Sequence, residues 1–232
     1  MKVFRSCHTI SSFFKENRQN RFLNKTDWSY FYPTMLTKAE KTRKFIIEKS
    51  APIFNRKGYA ATSMADILEA TGLAKGGVYG NFRSKDEIAI EAFEYSYAKL
   101  KEDLQFKIRA VSSSAARLMA ILDYYRNYSV KSNIDGGCPL MNTAIEADDN
   151  IPFLKIRAKK ALEEMLDSLR YLIQRGIDNK EFKKDLDAVK EAELFFAKVE
   201  GGIMMAKLRD NPRTLNYILD DIRAEVNSWK RE

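Results

Sequence analysis

Lys75, Tyr79 and Asn81 fall on one side of a short segment, residues 75–82, together with Gly76 and Gly77. An ammonium, a phenol and a carboxamide so placed are binding groups, with no nucleophile or acid–base pair beside them. Gly76, Gly77 and Gly80 each cost a helix about 0.8–1 kcal/mol relative to Ala. A helix that carries this cost needs close approach to another surface, and a helix-turn-helix set into DNA supplies one.

The flanking residues specify that motif. Thr62 and Ser63 stand at a helix N-cap, and Ser63 with Asp66 three residues on makes a capping box. Ala65, Ile67, Leu68 and Ala70 give the first helix a small apolar inner side. Thr71-Gly72 ends it, with Gly72 suited to the left-handed turn. Leu73, Val78 and Phe82 face inward from the second helix. Ser84 and Glu87 form another capping box, which opens a long helix. Upstream, residues 37–57 form a supporting helix with a Thr37/Glu40 box, apolar positions Phe45, Ile46, Ala51 and Phe54, and a stop at Gly58. Pro52 is expected to kink or weaken it.

In Gly58-Tyr59, Thr62-Ser63, Ala70-Thr71-Gly72-Leu73, Lys75-Gly76, Tyr79, Phe82 and Ser84-Lys85, the chain resembles the TetR family of one-component transcriptional regulators. The close match spans roughly residues 41–95. The resemblance implies that Thr62, Lys75, Tyr79 and Lys85 touch DNA, largely its phosphates. Ser63, Gly76, Gly77 and Asn81 complete the candidate contact set. A trihelical module that never meets DNA is the alternative, with Tyr79 as half-buried packing and the lysines as solvated charges.

The charge distribution agrees with a DNA reader. The 232 residues carry a net charge of +8. Residues 35–85 hold ten Lys/Arg and four Asp/Glu, a balance of +6, whereas residues 86–232 are near neutral at −2 and residues 1–34 contribute +4. A basic excess on the reader is the footprint of phosphate contact. Two cysteines, Cys7 and Cys138, and a single His8 argue against a disulfide scaffold, a metal site or a metal cofactor, and fit a reducing cytoplasm. Membrane-length apolar runs and the apolar core of a signal peptide are both missing.

Residues 1–34 are basic, polar and aromatic without helical or strand period, and Met35 follows them directly. They are read as an over-extended start or a disordered tail, in preference to an arm that contacts DNA through Arg18, Arg21 and Lys25.

The expected fold is all-α: a reader over 35–85 and a larger ligand-binding and dimerisation domain over 86–232. Ala89, Phe93, Tyr97, Leu100, Leu104 and Ile108 form one stripe of a helix of about 25 residues. Leu118, Ile121, Tyr125 and Tyr128 mark the next helix. A loop over 131–139 and a helical turn or two over 140–147 follow, then a helix from Leu154 to Gly176. In residues 186–210 one stripe is Val189, Ala192, Phe196, Val199, Ile203 and Ala206; a second is Leu194, Ala197, Gly201, Met205 and Leu208. A helix apolar on two faces must be covered on both. Helices near 186–210 and 213–230 are therefore expected to seal a homodimer in a four-helix arrangement, through Leu194, Ala197, Gly201, Met205, Ile218, Ile222 and Val226.

Ligand-lining candidates are Met119, Tyr124, Tyr125, Tyr128, Cys138, Glu146, Phe153, Met165, Leu169, Phe195 and Phe196, a set rich in aromatic and Met side chains. Each is equally readable as core. Residues 136–149 are similar to a stretch found in one branch of TetR-family ligand domains. Cys138 is open to two readings, a sensor if its pKa is lowered or a buried small hydrophobe; Lys131 is the only nearby cation in sequence. The function expected is a ligand-responsive repressor that binds a palindromic operator in double-stranded DNA and is released by a small molecule. The helix at 86–110 would transmit the change. Phosphate-cradling glycine motifs, nucleophile elbows and metal clusters are missing, which argues against an enzyme. A helical dimeric adaptor is the alternative.

Overall fold

A computed structural model describes residues 36–126, 128 and 134–231. Arg18, Arg21, Lys25, His8, Cys7 and Lys131 lie outside the described residues. Residues 36–41 belong to one unit and Thr42 onward to a second. In the first, Glu40 accepts from the Thr37 N–H at 2.8 Å while Thr37 Oγ1 accepts from the Glu40 N–H at 3.2 Å, so the expected box is present.

Nine α-helices run through the described residues, which contain no strand: α1 Lys38–Ala61, α2 Met64–Thr71, α3 Lys75–Tyr79, α4 Lys85–Arg109, α5 Ser114–Arg126, α6 Pro139–Asn150, α7 Pro152–Asp178, α8 Ala188–Leu208 and α9 Pro212–Ser228. The α6 helix is twelve residues long, more than the turn or two expected, because Pro139 starts it and a buried stripe continues to Ala147 and Ile151. Pro52 does not break α1. The one non-helical residue inside that helix is Gly58, at φ 82 and ψ 170, and Glu48, whose carbonyl Pro52 cannot satisfy, is exposed to water.

Two apolar clusters place the rest. Ile46, Ile47, Ile67, Val78, Phe82 and Ile88 fill the small reader. Phe45 is 37 % exposed, and Ala65 and Ala70 face solvent, so the inner sides of α1 and α2 are narrower than expected. The larger cluster runs from Phe93 and Tyr97 on α4 through Leu118, Leu122 and Tyr125 on α5 to Leu169, Val199 and Leu219 on α7, α8 and α9. Gly202 lets α9 approach α8: a Cβ there would stand 2.9 Å from Leu215 Cδ1.

Two of the expected dimer residues are corrected. Ile222 and Val226 are fully buried in the chain's own core, because α9 turns that stripe onto the large cluster, so neither is free for a second subunit. Val189 is corrected in the opposite sense. It lies half exposed in the first turn of α8.

Candidate nucleic-acid interface

The reader is assembled by reciprocal polar ties. Ser63 Oγ accepts from the Asp66 N–H at 3.1 Å, and Asp66 Oδ2 accepts from the Ser63 N–H at 2.7 Å, a complete capping box. Lys57 donates to Asp66 at 2.6 Å and holds its carboxyl well below the usual range. Gly72 at φ 64 makes the turn, its N–H donating to Leu68 O at 2.9 Å. At α4 the box is half formed: Ser84 Oγ accepts from the Glu87 N–H, but the Glu87 carboxylate takes the Arg83 N–H.

Sequence reasoning missed Arg43. Its guanidinium lies 4.0 Å from the centre of the Phe82 ring, donates to the Asn81 carbonyl, and pairs with Glu87 at 2.6 Å and with Glu91. One planar fork thus fixes the end of α3 against α1 and α4. The Arg43 bond also holds the Glu87 carboxyl below its ordinary value. Nothing in the sequence separates Arg43 from its basic neighbours except a place one turn before the buried Ile46 and Ile47.

Val78 and Phe82 point inward and are almost completely buried. The outward face carries Lys75, Gly76 and Tyr79, all exposed; Tyr79 is 44 % exposed, and Lys75 Nζ stands 5.7 Å from its ring centre. A Cβ added at Gly76 would meet only open space. Gly77 is half-buried beside Leu73, and Asn81 Nδ2 donates to Gly77 O at 2.8 Å. Ser63 is exposed at the start of α2.

Two expected contacts stand elsewhere. Thr62 is 1 % exposed and its hydroxyl donates to Gly58 O at 2.6 Å, so it secures the end of α1 instead of facing outward. Lys85 donates to Tyr59 O at 2.8 Å and Thr62 O at 2.9 Å and lies 4.0 Å above the Tyr59 ring. An ammonium has three donors, so one is left for a phosphate. The Tyr59 hydroxyl donates to Asp86; burial, then that bond, pushes its pKa up to about 12.

The ligand candidates divide. Tyr125, Tyr128, Cys138, Met165, Leu169 and Phe195 are buried together in the large cluster, with Met119, Tyr124 and Phe196 packed at its edge. Three tyrosines, 124, 125 and 128, have ring centres 5.2–5.6 Å apart. Glu146 and Phe153 are not among them. Phe153 packs edge-on to Tyr59, and Glu146 accepts from the Tyr59 and Ala60 N–H groups, because α6 and the start of α7 lie against the end of α1. Glu200 was not anticipated, and it takes a hydrogen bond from buried Cys138. Among the described residues no group of three His, Cys, Asp or Glu side chains is placed to hold a metal, and no helix is long and apolar enough to cross a membrane.

Residues 46–92 match the family model described as bacterial regulatory proteins, tetR family, and residues 114–222 match the tetracyclin repressor-like C-terminal domain. A TetR-family transcriptional regulator from Cytophaga hutchinsonii is 37 % identical, with a TM-score of 0.81 over 86 % of this chain and 100 % of that one. One from Chloroflexus aurantiacus is 34 % identical, with a TM-score of 0.81 over 84 % and 99 %. The HTH-type transcriptional repressor DhaR of a Mycobacterium species is 22 % identical over 76 % of this chain and 88 % of its own length. With its reader and its helical domain both matched, and with these solved relatives covered almost end to end, the chain belongs to the TetR family of transcriptional regulators.

Proposed function

We propose that this regulator is a cytoplasmic repressor. As a homodimer it holds a palindromic operator and lets go when a small molecule enters the cluster around Tyr124, Tyr125, Tyr128, Met165, Leu169 and Phe195. The observation that carries the reading is the exposed Lys75–Gly76–Tyr79 face, set on a buried Val78–Phe82 face that Arg43 locks in place. That is the polarity a recognition helix needs: rigid behind, open in front. Lys75, Tyr79, Gly76 and Ser63 are the proposed contacts, with Asn81 and the third donor of Lys85 at the margin.

Leu194, Ala197, Gly201, Met205 and Leu208 support the dimer. They lie along one partly or fully exposed side of α8, and a Cβ at Gly201 would meet nothing. Ile218 is half-buried beside them on α9. A second copy that covers this stripe would set two α3 helices to read major grooves about 34–36 Å apart. The ligand acts by population shift, favouring a state whose readers are misplaced for adjacent grooves.

Incubation with sheared genomic DNA at physiological salt, followed by sequencing of what is retained, tests the reading. A few fragments that share an inverted repeat are expected, together with weakened retention by folded Tyr79→Ala. Uniform retention of all sequences would overturn it.

A further inference from the structure

We infer that the end of the helical domain opposite the reader binds a small multivalent oxyanion of the oligophosphate class. The site is a pair of open grooves that share Ala116 of α5. One, of about 550 Å³, lies between the start of α5, the turn after α7 and the end of α9. The other, of about 560 Å³, lies between the end of α4 and the start of α5. Each has the volume of a small-molecule site.

The lining is strongly one-sided in charge. Six cations, Arg109, Arg117, Lys180, Arg223, Lys230 and Arg231, face one carboxylate, Glu181. Arg223 pairs with Asp123, and the other five have no carboxylate partner among the described residues. Glu181 is itself committed, accepting from the Ala115 N–H at 3.1 Å. Residues 86–232 are near neutral as a whole, so cations have been gathered at this end.

Helix dipoles account for part of the pattern. Arg109, Lys180, Lys230 and Arg231 stand at or just beyond the C-terminal ends of α4, α7 and α9, where a cation is favoured. Those three ends, at about half a negative charge each, together with Glu181 still leave roughly two to three positive charges over. Two residues do not fit that account. Arg117 lies in the opening turn of α5, the end at which the dipole opposes a cation. Its Nε donates to Val111 O at 3.1 Å, which orients the guanidinium and leaves both terminal nitrogens available. Lys180 has a left-handed backbone, φ 61, just past α7, where glycine or asparagine is the usual residue. A lysine that bears this conformational cost sets an ammonium on the groove.

The donors select the ligand. The first amides of α5 are taken, Ala115 by Glu181 and Ala116 by Ser113 Oγ at 3.1 Å, so side chains must hold the anion. They come from four separate elements. That suits a tetrahedral oxyanion with acceptors on every side better than a planar carboxylate gripped by one fork. Neither groove has an aromatic residue for a nucleobase to stack on. Two adjoining charged grooves thus fit linked phosphates. Operator DNA on the reader is out of reach, since α4 is 25 residues long, about 37 Å.

Isothermal titration of the full chain, without DNA and at fixed ionic strength, compares sodium tripolyphosphate, orthophosphate and citrate. One tripolyphosphate per chain is expected, at least about ten-fold tighter than either of the others. Lys180→Gly places at that φ the residue that adopts it most readily, so its urea midpoint is not lowered. It weakens binding about three-fold, the scale of one exposed charge contact. Adding Arg117→Gln abolishes binding, while operator affinity stays as in the wild type. Lys75→Ala, which strips an ammonium from the reader, binds tripolyphosphate unchanged. Orthophosphate or citrate within the ten-fold margin would overturn the oligophosphate site. So would wild-type affinity in the folded double variant. Loss of binding in Lys75→Ala would overturn it too, by moving the anion to the reader.

Discussion

The Cys138 thiol donates to Glu200 Oε1 across 3.1 Å inside the helical domain, and Glu200 Oε2 is shut off from solvent with no hydrogen-bond partner among the described residues. Burial pushes the Glu200 carboxyl up to about 7 from its ordinary value near 4.5. Burial, reinforced by that carboxyl, also drives the thiol well above its usual range. The two readings left open for Cys138 are thereby separated: it is a buried donor, and at neutral pH it stays a thiol with little nucleophilic character.

Stability should therefore fall as pH rises through the Glu200 range. A carboxyl that binds its proton more tightly folded than unfolded contributes fully below about pH 4.5 and loses that contribution as pH approaches about 7. The upper limit is about 3 kcal/mol, from roughly two and a half pH units at 1.36 kcal/mol each. Urea denaturation between pH 5 and pH 8 should show the decline, and Glu200→Gln should flatten it. An equally steep slope in the variant would remove Glu200 as the cause.

Cys138 should resist alkylation. Peptide mapping after iodoacetamide should find it unmodified in the folded chain and modified in urea. Fast labelling of native protein would contradict its burial.

Arg43 should matter more than any other cation in the reader. Arg43→Met removes the fork to Glu87, Glu91 and the Asn81 carbonyl, and should lower stability by about 1–2 kcal/mol, since the pairs are part-exposed. Arg43→Lys should recover less than half, because an ammonium cannot reproduce the planar fork. Urea midpoints for the three proteins decide this.

Lys75→Ala should weaken operator and random DNA alike and reduce the slope of log K against log salt by about one per subunit. Tyr79→Ala should weaken binding with the slope retained. Fluorescence anisotropy between 50 and 300 mM salt, on the order of the physiological range, separates the two effects.

Met205→Asp and Leu208→Asp place a charge on the apolar stripe of α8 at positions that are exposed in the single chain. Both should yield folded monomers with weakened operator affinity, seen by sedimentation. Dimers of unchanged strength would move the interface elsewhere.

Local chemistry reads well from the sequence. Ser63–Asp66, Thr37–Glu40 and Gly72 are short-range devices whose partners lie within four residues, and each is formed. Helical period places α4 to within a residue or two, because its buried stripe is long. What sequence order hides is pairing across the chain. Glu146 resembles a pocket charge until Gly58 is seen to leave two N–H groups beside it, and Thr62 resembles a surface contact until its hydroxyl turns to Gly58 O. Ile222 and Val226 share a stripe with Ile218, and only the crossing of α8 and α9 decides which of them the chain keeps for itself.

The break at Gly58 also sets an order of assembly. The amides of Tyr59 and Ala60 are bonded by a side chain 86–87 positions further along, so during synthesis the reader emerges well before its seal. Closing so long a loop carries an entropy cost that only the packed helical domain offsets. The reader segment, made alone, thus has caps, turn and core but an unfinished hinge. A growing chain completes its DNA reader only when the domain that controls it has begun to fold.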